Sequence, residues 1–219
     1  MTPSFLPFPI PFCFDPHHFR LDDLVSFTVA VLAAITVHAE AQTFMAILLG
    51  DTRQDDSKRL HFNPLLHLDI FGVICFLSAG FGWPKSVMIC REKFAHPRLF
   101  TIFAYLAGPV ANFFLASIAG SVIWLYKHFG VEDRVFCMMA AVNLTMAVYH
   151  LLPVPPLAGS CILPVLFPQL SRYWPSRTSQ TLGAIGLILY FGFERISGHF
   201  FIGKTLSIAV VSLYRLFVS

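Results

Sequence analysis

Polar residues are sparse along this chain, and their spacing separates apolar runs of two lengths. Leu24 to Leu49 and Leu99 to Tyr126 are each long enough, at about 1.5 Å of rise per helical residue, to cross a bilayer with length to spare. Val135 to Leu152 is a third apolar stretch, stopped by Pro153, Pro155 and Pro156. Ile70 to Gly82 is too short for a full span and holds Gly72, Gly80 and Gly82, so it predicts a re-entrant or half-buried segment. After it, Trp83 to Arg98 carries the turn residue Pro84 and a Val87-Met88-Ile89 run that predicts a short strand, part of a short β-hairpin. Thr181 to Phe193 and Phe200 to Val218 complete the pattern. The expected fold class is an all-α polytopic membrane protein of about four to six membrane segments.

Composition agrees with a membrane setting. Of 219 residues, 56% are hydrophobic and 12% charged, with 24 phenylalanines, a balance outside that of soluble domains. A net charge of +3 on scattered basic residues excludes nucleic-acid binding. Cys13, Cys75, Cys90, Cys137 and Cys161 show no C-x-x-C spacing and read as small buried hydrophobes rather than disulfides or ligands.

Three regions follow. Residues 1–23 form an arm rich in proline and phenylalanine, in which Pro3, Pro11 and Pro16 oppose a regular helix. It reads as an extended arm at the membrane surface or against another protein; it lacks the basic start and compact apolar run of a cleaved signal peptide. His17 and His18 in it read as plain polar residues. Residues 24–166 form the membrane core, and 167–219 add C-terminal helical segments. If the Ile70 segment returns to the side it left, ten basic residues, Arg215 among them, fall on one side, and five, among them Arg20, Lys127 and Arg134, on the other. The richer side is then cytoplasmic and the N-terminus outside.

Ala104, Gly108, Asn112, Ala116 and Gly120 repeat at four-residue intervals in one run, a stripe on which a second helix can pack closely, with Pro109 within it. The stripe serves packing inside this chain or a dimer face. The polar residues inside the apolar runs are the candidate chemistry: His38, Glu40, Gln42, Asn112, Asn143 and His150, with His67 and Asp69 near a membrane border. A carboxylate in mid-span costs about 2.5 to 3.5 kcal/mol on insertion scales, so Glu40 is expected to meet a polar group of this chain or of a partner subunit.

Several of these residues lie in motifs. Ile35-Thr36-Val37-His38 through Leu49-Gly50-Asp51 resembles the zinc helix of the site-2 protease family of intramembrane metalloproteases, particularly its small prokaryotic members. Asn63-Pro64-Leu65-Leu66-His67-Leu68-Asp69 resembles that family's N-P-x-x-H-x-D segment. Gly80-Phe81-Gly82-Trp83 resembles the glycine-aromatic turn that follows it. Ala107-Gly108-Pro109-Val110-Ala111-Asn112 is similar to the A-G-P-x-x-N helix, and Leu151-Leu152-Pro153-Val154-Pro155-Pro156-Leu157-Ala158-Gly159 to the L-L-P-x-P-P-L-D-G motif. These matches run in family order across about residues 35 to 160, and imply a site-2 protease-like helical core in a prokaryotic cytoplasmic membrane.

The departures fall on the chemistry. The resemblance implies zinc held by both histidines of H-E-x-x-H and by the aspartate of L-D-G, with the glutamate handling the proton of bound water. Here His38 is kept, Ala39 stands at the glutamate, Gln42 at the second histidine and Ala158 at the aspartate. Glu40 cannot replace the base from its place, because two residues along a helix is a rotation of about 200°. Gln42 faces the same way as His38, but a neutral amide oxygen is a poor zinc ligand.

The expected function is therefore a non-catalytic, site-2 protease-like membrane protein without catalytic residues or a cofactor. It binds a membrane-protein partner or is a structural subunit of a larger complex in the lipid bilayer. His67 and Asp69 read as a structural clasp, and Asn112 and Asn143 as interhelical bonds or contacts to a bound strand. The alternative is a noncanonical zinc endopeptidase using His38 with His150 or an external ligand. A third reading, a small cofactor-binding or transport subunit, draws on His38, Glu40 and His150.

Overall fold

The computed structural model describes residues 8–12, 20–52, 60–131, 133–172, 176–198 and 201–218. Seven α-helices form among them: α1 (Leu21–Leu48), α2 (Ile70–Ala79), α3 (Pro97–His128), α4 (Val135–Tyr149), α5 (Ala158–Leu166), α6 (Arg177–Ser197) and α7 (Ile202–Val218). Two helices, α1 and α3, are long and apolar enough to cross a membrane, and α6 with α7 reaches that length only as a pair bent by 88°. No strand occurs among the described residues. Val87-Met88-Ile89, expected as a strand, is irregular, and Leu68 and Pro84 make only an isolated antiparallel bridge.

Helices α1, α3 and α4 pack on one another as the centre of the molecule. Their contact faces are small-residue faces: Ala30 and Ala34 on α1, Ala116 and Ala119 on α3, Ala140 and Ala141 on α4 are all buried. Without a solvent-driven hydrophobic force between helices in lipid, close backbone approach is what gains packing energy. The small-residue stripe of α3 faces inward for this purpose. A Cβ on Gly108 would stand 2.5 Å from His38 Nε2, and one on Gly120 would stand 2.8 Å from the Phe217 carbonyl oxygen.

The segment from His67 to Lys85 leaves and returns to one point. The Lys85 N–H donates to the His67 carbonyl at 2.7 Å, beside the Leu68–Pro84 bridge. Asp69 Oδ1 accepts from the Gly72 N–H at 2.9 Å, capping α2, and from Trp83 Nε1 at 3.0 Å, tying the two limbs. The limbs touch at glycines: a Cβ on Gly72 would lie 2.1 Å from the Trp83 carbonyl oxygen.

The described part of the N-terminal arm folds onto its own chain. Phe8 and Phe12 are buried, and the Phe12 ring lies 4.9 Å from that of Phe27 on α1. His17, His18 and Cys13 lie outside the described residues. At the other end, Lys127 Nζ donates to the Val218 carbonyl at 2.6 Å, so α7 ends beside the end of α3. Arg215, one turn earlier in α7, therefore lies toward the same end of the molecule as Lys127, whereas the run lengths place it with the opposite group.

Candidate functional site

Helix α1 enters the centre with His38 and Gln42 one turn apart on the same face, and both side chains are buried. Asn112 comes from α3, Asn143 from α4, and His150 from the C-cap of α4. His38 Nδ1 lies 2.7 Å from Asn112 Oδ1. Asn112 Nδ2 gives its two hydrogens to the Ala34 carbonyl and Asn143 Oδ1, each at 2.9 Å, and Asn143 Nδ2 donates to the Met139 carbonyl at 2.8 Å. With Asn112 Oδ1 left as the acceptor, His38 must carry its proton on Nδ1. Its Nε2 then offers a lone pair, and Gln42 Nε2 donates to it at 3.2 Å.

Gln42 uses its second hydrogen on the Tyr105 carbonyl at 3.0 Å. That carbonyl is available because Pro109, four residues on in α3, has no N–H to give it. The network is thus closed, running from the Met139 carbonyl through Asn143, Asn112, His38 and Gln42 to the Tyr105 carbonyl. Every member is neutral and each of these donors meets an acceptor, the condition under which a buried polar network stabilises.

His150 stands beside it, its ring centroid 4.1 Å from that of His38 and tilted by 53°. Its Nε2 lies 3.2 Å from the Gly82 carbonyl, which can only accept, so Nδ1 carries the lone pair. That Nδ1 is buried without a hydrogen-bond partner among the described residues. His38, Gln42, His150, Ala158, Cys161 and Gln180 share the wall of a cavity of about 40 Å³, enough room for a water molecule. Residues from α1 and from the segment after α4 thus converge on one small space.

Glu40 points elsewhere. Its Oε1 accepts from the His61 N–H at 2.7 Å and lies 2.8 Å from His67 Nε2. The same Nε2 is 2.7 Å from the His61 carbonyl, an acceptor, so it bears the proton and shares it between the two oxygens. Glu40 Oε2 is buried and has no partner among the described residues. His67 and Asp69 do not pair with each other. The first holds the stretch around His61 on α1, and the second closes the base of the loop containing α2.

A protein of Bacillus subtilis (strain 168) named "Putative zinc metalloprotease YwhC" is 35% identical to this chain over 149 residues, which is 64% of this chain and 68% of that protein. The chain belongs to this metalloprotease-like family. No family model matches it, and no solved structure does.

The family name raises zinc, and the donor set can be tested against it. A zinc site takes three or four imidazole, thiolate or carboxylate ligands. Among the described residues no three His, Cys, Asp or Glu side chains converge to hold a metal ion. At the cavity the His38 lone pair already accepts from Gln42 and Ala158 brings no donor atom, so His150 Nδ1 and the Cys161 thiol are the donors left, short of three. As arranged, these residues do not fit zinc. The backbone acceptors at Tyr105 and Gly82 escape a reading of side chains; Pro109 is the one sequence signal that points to the first.

Proposed function

We propose that this chain is a non-catalytic member of its metalloprotease-like family, site-2 protease-like in its core, working as an integral multi-pass membrane protein. One observation carries the reading: both nitrogens of the His38 imidazole are engaged by protein amides, Asn112 on one side and Gln42 on the other. An imidazole so held is a helix-packing element. With Ala39 at the position of the resemblance's base and Ala158 at that of its aspartate, this chain has no group at those positions to move the proton of a water molecule.

In this reading α1, α3, α4 and the α6–α7 pair supply about four to six membrane segments together with α2 and α5 as shorter pieces, and α2 is re-entrant. The N-terminus lies outside a prokaryotic cytoplasmic membrane; with Arg215 counted beside Lys127, this topology puts nine basic residues on the cytoplasmic side and six outside. The protein acts by binding a membrane partner or as a subunit of a larger complex. Glu40 supports intramolecular service first, since its Oε1 is satisfied within the chain.

A second reading, a zinc endopeptidase using His38 with His150, is favoured by the name of the Bacillus subtilis relative and by the 4.1 Å contact of the two rings. Purification in mild detergent, with metal analysis, co-purifying partners and cleavage of a membrane-spanning peptide measured on one preparation, separates the two. Stable partners without zinc or cleavage support the non-catalytic reading. Stoichiometric zinc with cleavage lost in His150→Ala overturns it.

A further inference from the structure

Arg91 and Arg98 line a cleft of about 220 Å³ between the start of α3 and the end of α5, walled otherwise by Pro97, Thr101, Pro164, Val165 and Pro168. Among the described residues the cleft has no acidic lining residue. Thr101 spends its hydroxyl on the Pro97 carbonyl, so the two guanidinium groups are its polar capacity. Arg98 makes no hydrogen bond or ion pair among the described residues, and Arg91 has only a loose contact, Nε to Glu92 Oε1 at 3.7 Å, with both side chains exposed. Arg98 has no carboxylate partner among the described residues and Arg91 shares its charge only with the exposed Glu92, so the two guanidinium groups around this cleft retain a net positive charge that suits an anion. The place narrows which anion, because the exposed apolar flank of α3 begins here with Leu99 and continues through Phe103 and Val110.

We propose that this cleft seats the phosphate of an anionic phospholipid, gripped by Arg91 and Arg98, with the acyl chains running along the exposed flank of α3. The proposal rests on the membrane reading above. The guanidinium fork matches two phosphate oxygens at once, which an ammonium group does not. The cleft is smaller than the roughly 300 to 1,000 Å³ of pockets that swallow whole ligands, as suits a headgroup whose chains stay outside. Basic pockets between membrane helices on the cytoplasmic side are where anionic headgroups are held.

The test uses the full chain, first extracted from membranes and then reconstituted with phosphatidylglycerol or phosphatidylcholine, with retained lipid read by native mass spectrometry and stability by thermal unfolding. The wild type is expected to retain phosphatidylglycerol in preference to phosphatidylcholine. Arg91→Gln with Arg98→Gln is expected to lose affinity by about fivefold per arginine, while Arg91→Lys with Arg98→Lys keeps part of it. Both arginines are exposed, so these variants keep the fold. Equal retention of the two lipids, undiminished retention in the glutamine variant, or a thermal shift fully reproduced by inorganic phosphate overturns the proposal. Release of the chain by alkaline carbonate overturns the membrane reading and this site with it; a carbonate-resistant chain with no lipid preference overturns the site alone.

Discussion

Gly108 exists to admit His38: a Cβ at this position would lie 2.5 Å from the imidazole Nε2 and 2.6 Å from Cδ2. The ring cannot retreat, because Asn112 and Gln42 hold it from both sides. Gly108→Ala is therefore expected to destabilise the protein by about 1 to 3 kcal/mol, the range for forcing a methyl group into a packed core. Gly186, with open space around its Cβ position, is the control. Gly186→Ala should be neutral or slightly stabilising, and thermal unfolding of the two variants in the same detergent checks the contrast.

Asn112 tests the direction of the hydrogen bonds. Its Nδ2 faces two acceptors, the Ala34 carbonyl and Asn143 Oδ1. Asn112→Asp replaces that donor by an oxygen and sets acceptors against one another, so it should be worse than Asn112→Ala, which removes the group. The expected loss for the aspartate is about 3 kcal/mol or more, as for a buried charge left unpaired. An aspartate variant as stable as the alanine variant would sink the assignment of the His38 proton to Nδ1.

At Glu40 the prediction concerns coupling. Glu40→Leu removes the acceptor of both the His61 N–H and His67 Nε2 and leaves a buried donor unmatched, at a cost of about 1 to 3 kcal/mol. His67→Leu should cost less once Glu40 is already leucine, because the two side chains share one bond. A double-mutant cycle on unfolding free energy measures this; strict additivity would show that the contact does not matter. Retention of co-purifying partners in Glu40→Leu is expected to be unchanged at equal folded protein.

A zinc-binding variant should be obtainable. Combining Gln42→His and Ala158→Asp supplies the two missing ligands that the motif resemblance implies around the cavity that already contains His38 and Ala158, and Ala39→Glu adds the implied base. About one zinc per chain is expected for the triple variant by elemental analysis, and far less for the wild type. Equal zinc content in the two would remove the ground for reading the native site as non-metallic.

How much of this was legible in the chain varies by physical cause. The long helices α1 and α3 follow from apolar run length, and their ends differ from the expected ones by one to three residues, since a run of hydropathy does not mark the capping turn. Helix α5 is short, begins just after a proline-rich turn and contains Pro164, so no periodicity announced it. The motif order brought His38, Gln42 and Ala158 to one place, as the cavity walls have them. The bonds that satisfy Gln42 and His150 go to main-chain carbonyls of Tyr105 and Gly82, which every residue possesses and none advertises. The Val87–Ile89 strand failed because β-branched or apolar residues favour a strand only when a neighbour offers a ladder, and among the described residues no strand lies alongside.

Pro109 leaves a vacancy that residue 42 must fill. An unanswered carbonyl in an apolar interior costs free energy whatever surrounds it. While proline occupies position 109, therefore, leucine or alanine at position 42 strands the Tyr105 oxygen, and only a side chain with a hydrogen to give is tolerated there. Replacing Pro109 by alanine returns that oxygen to its own helix and frees position 42 to become apolar. Two residues on different helices thus behave as one unit of sequence, so the identity at position 42 reports the state of α3 as much as any chemistry of α1.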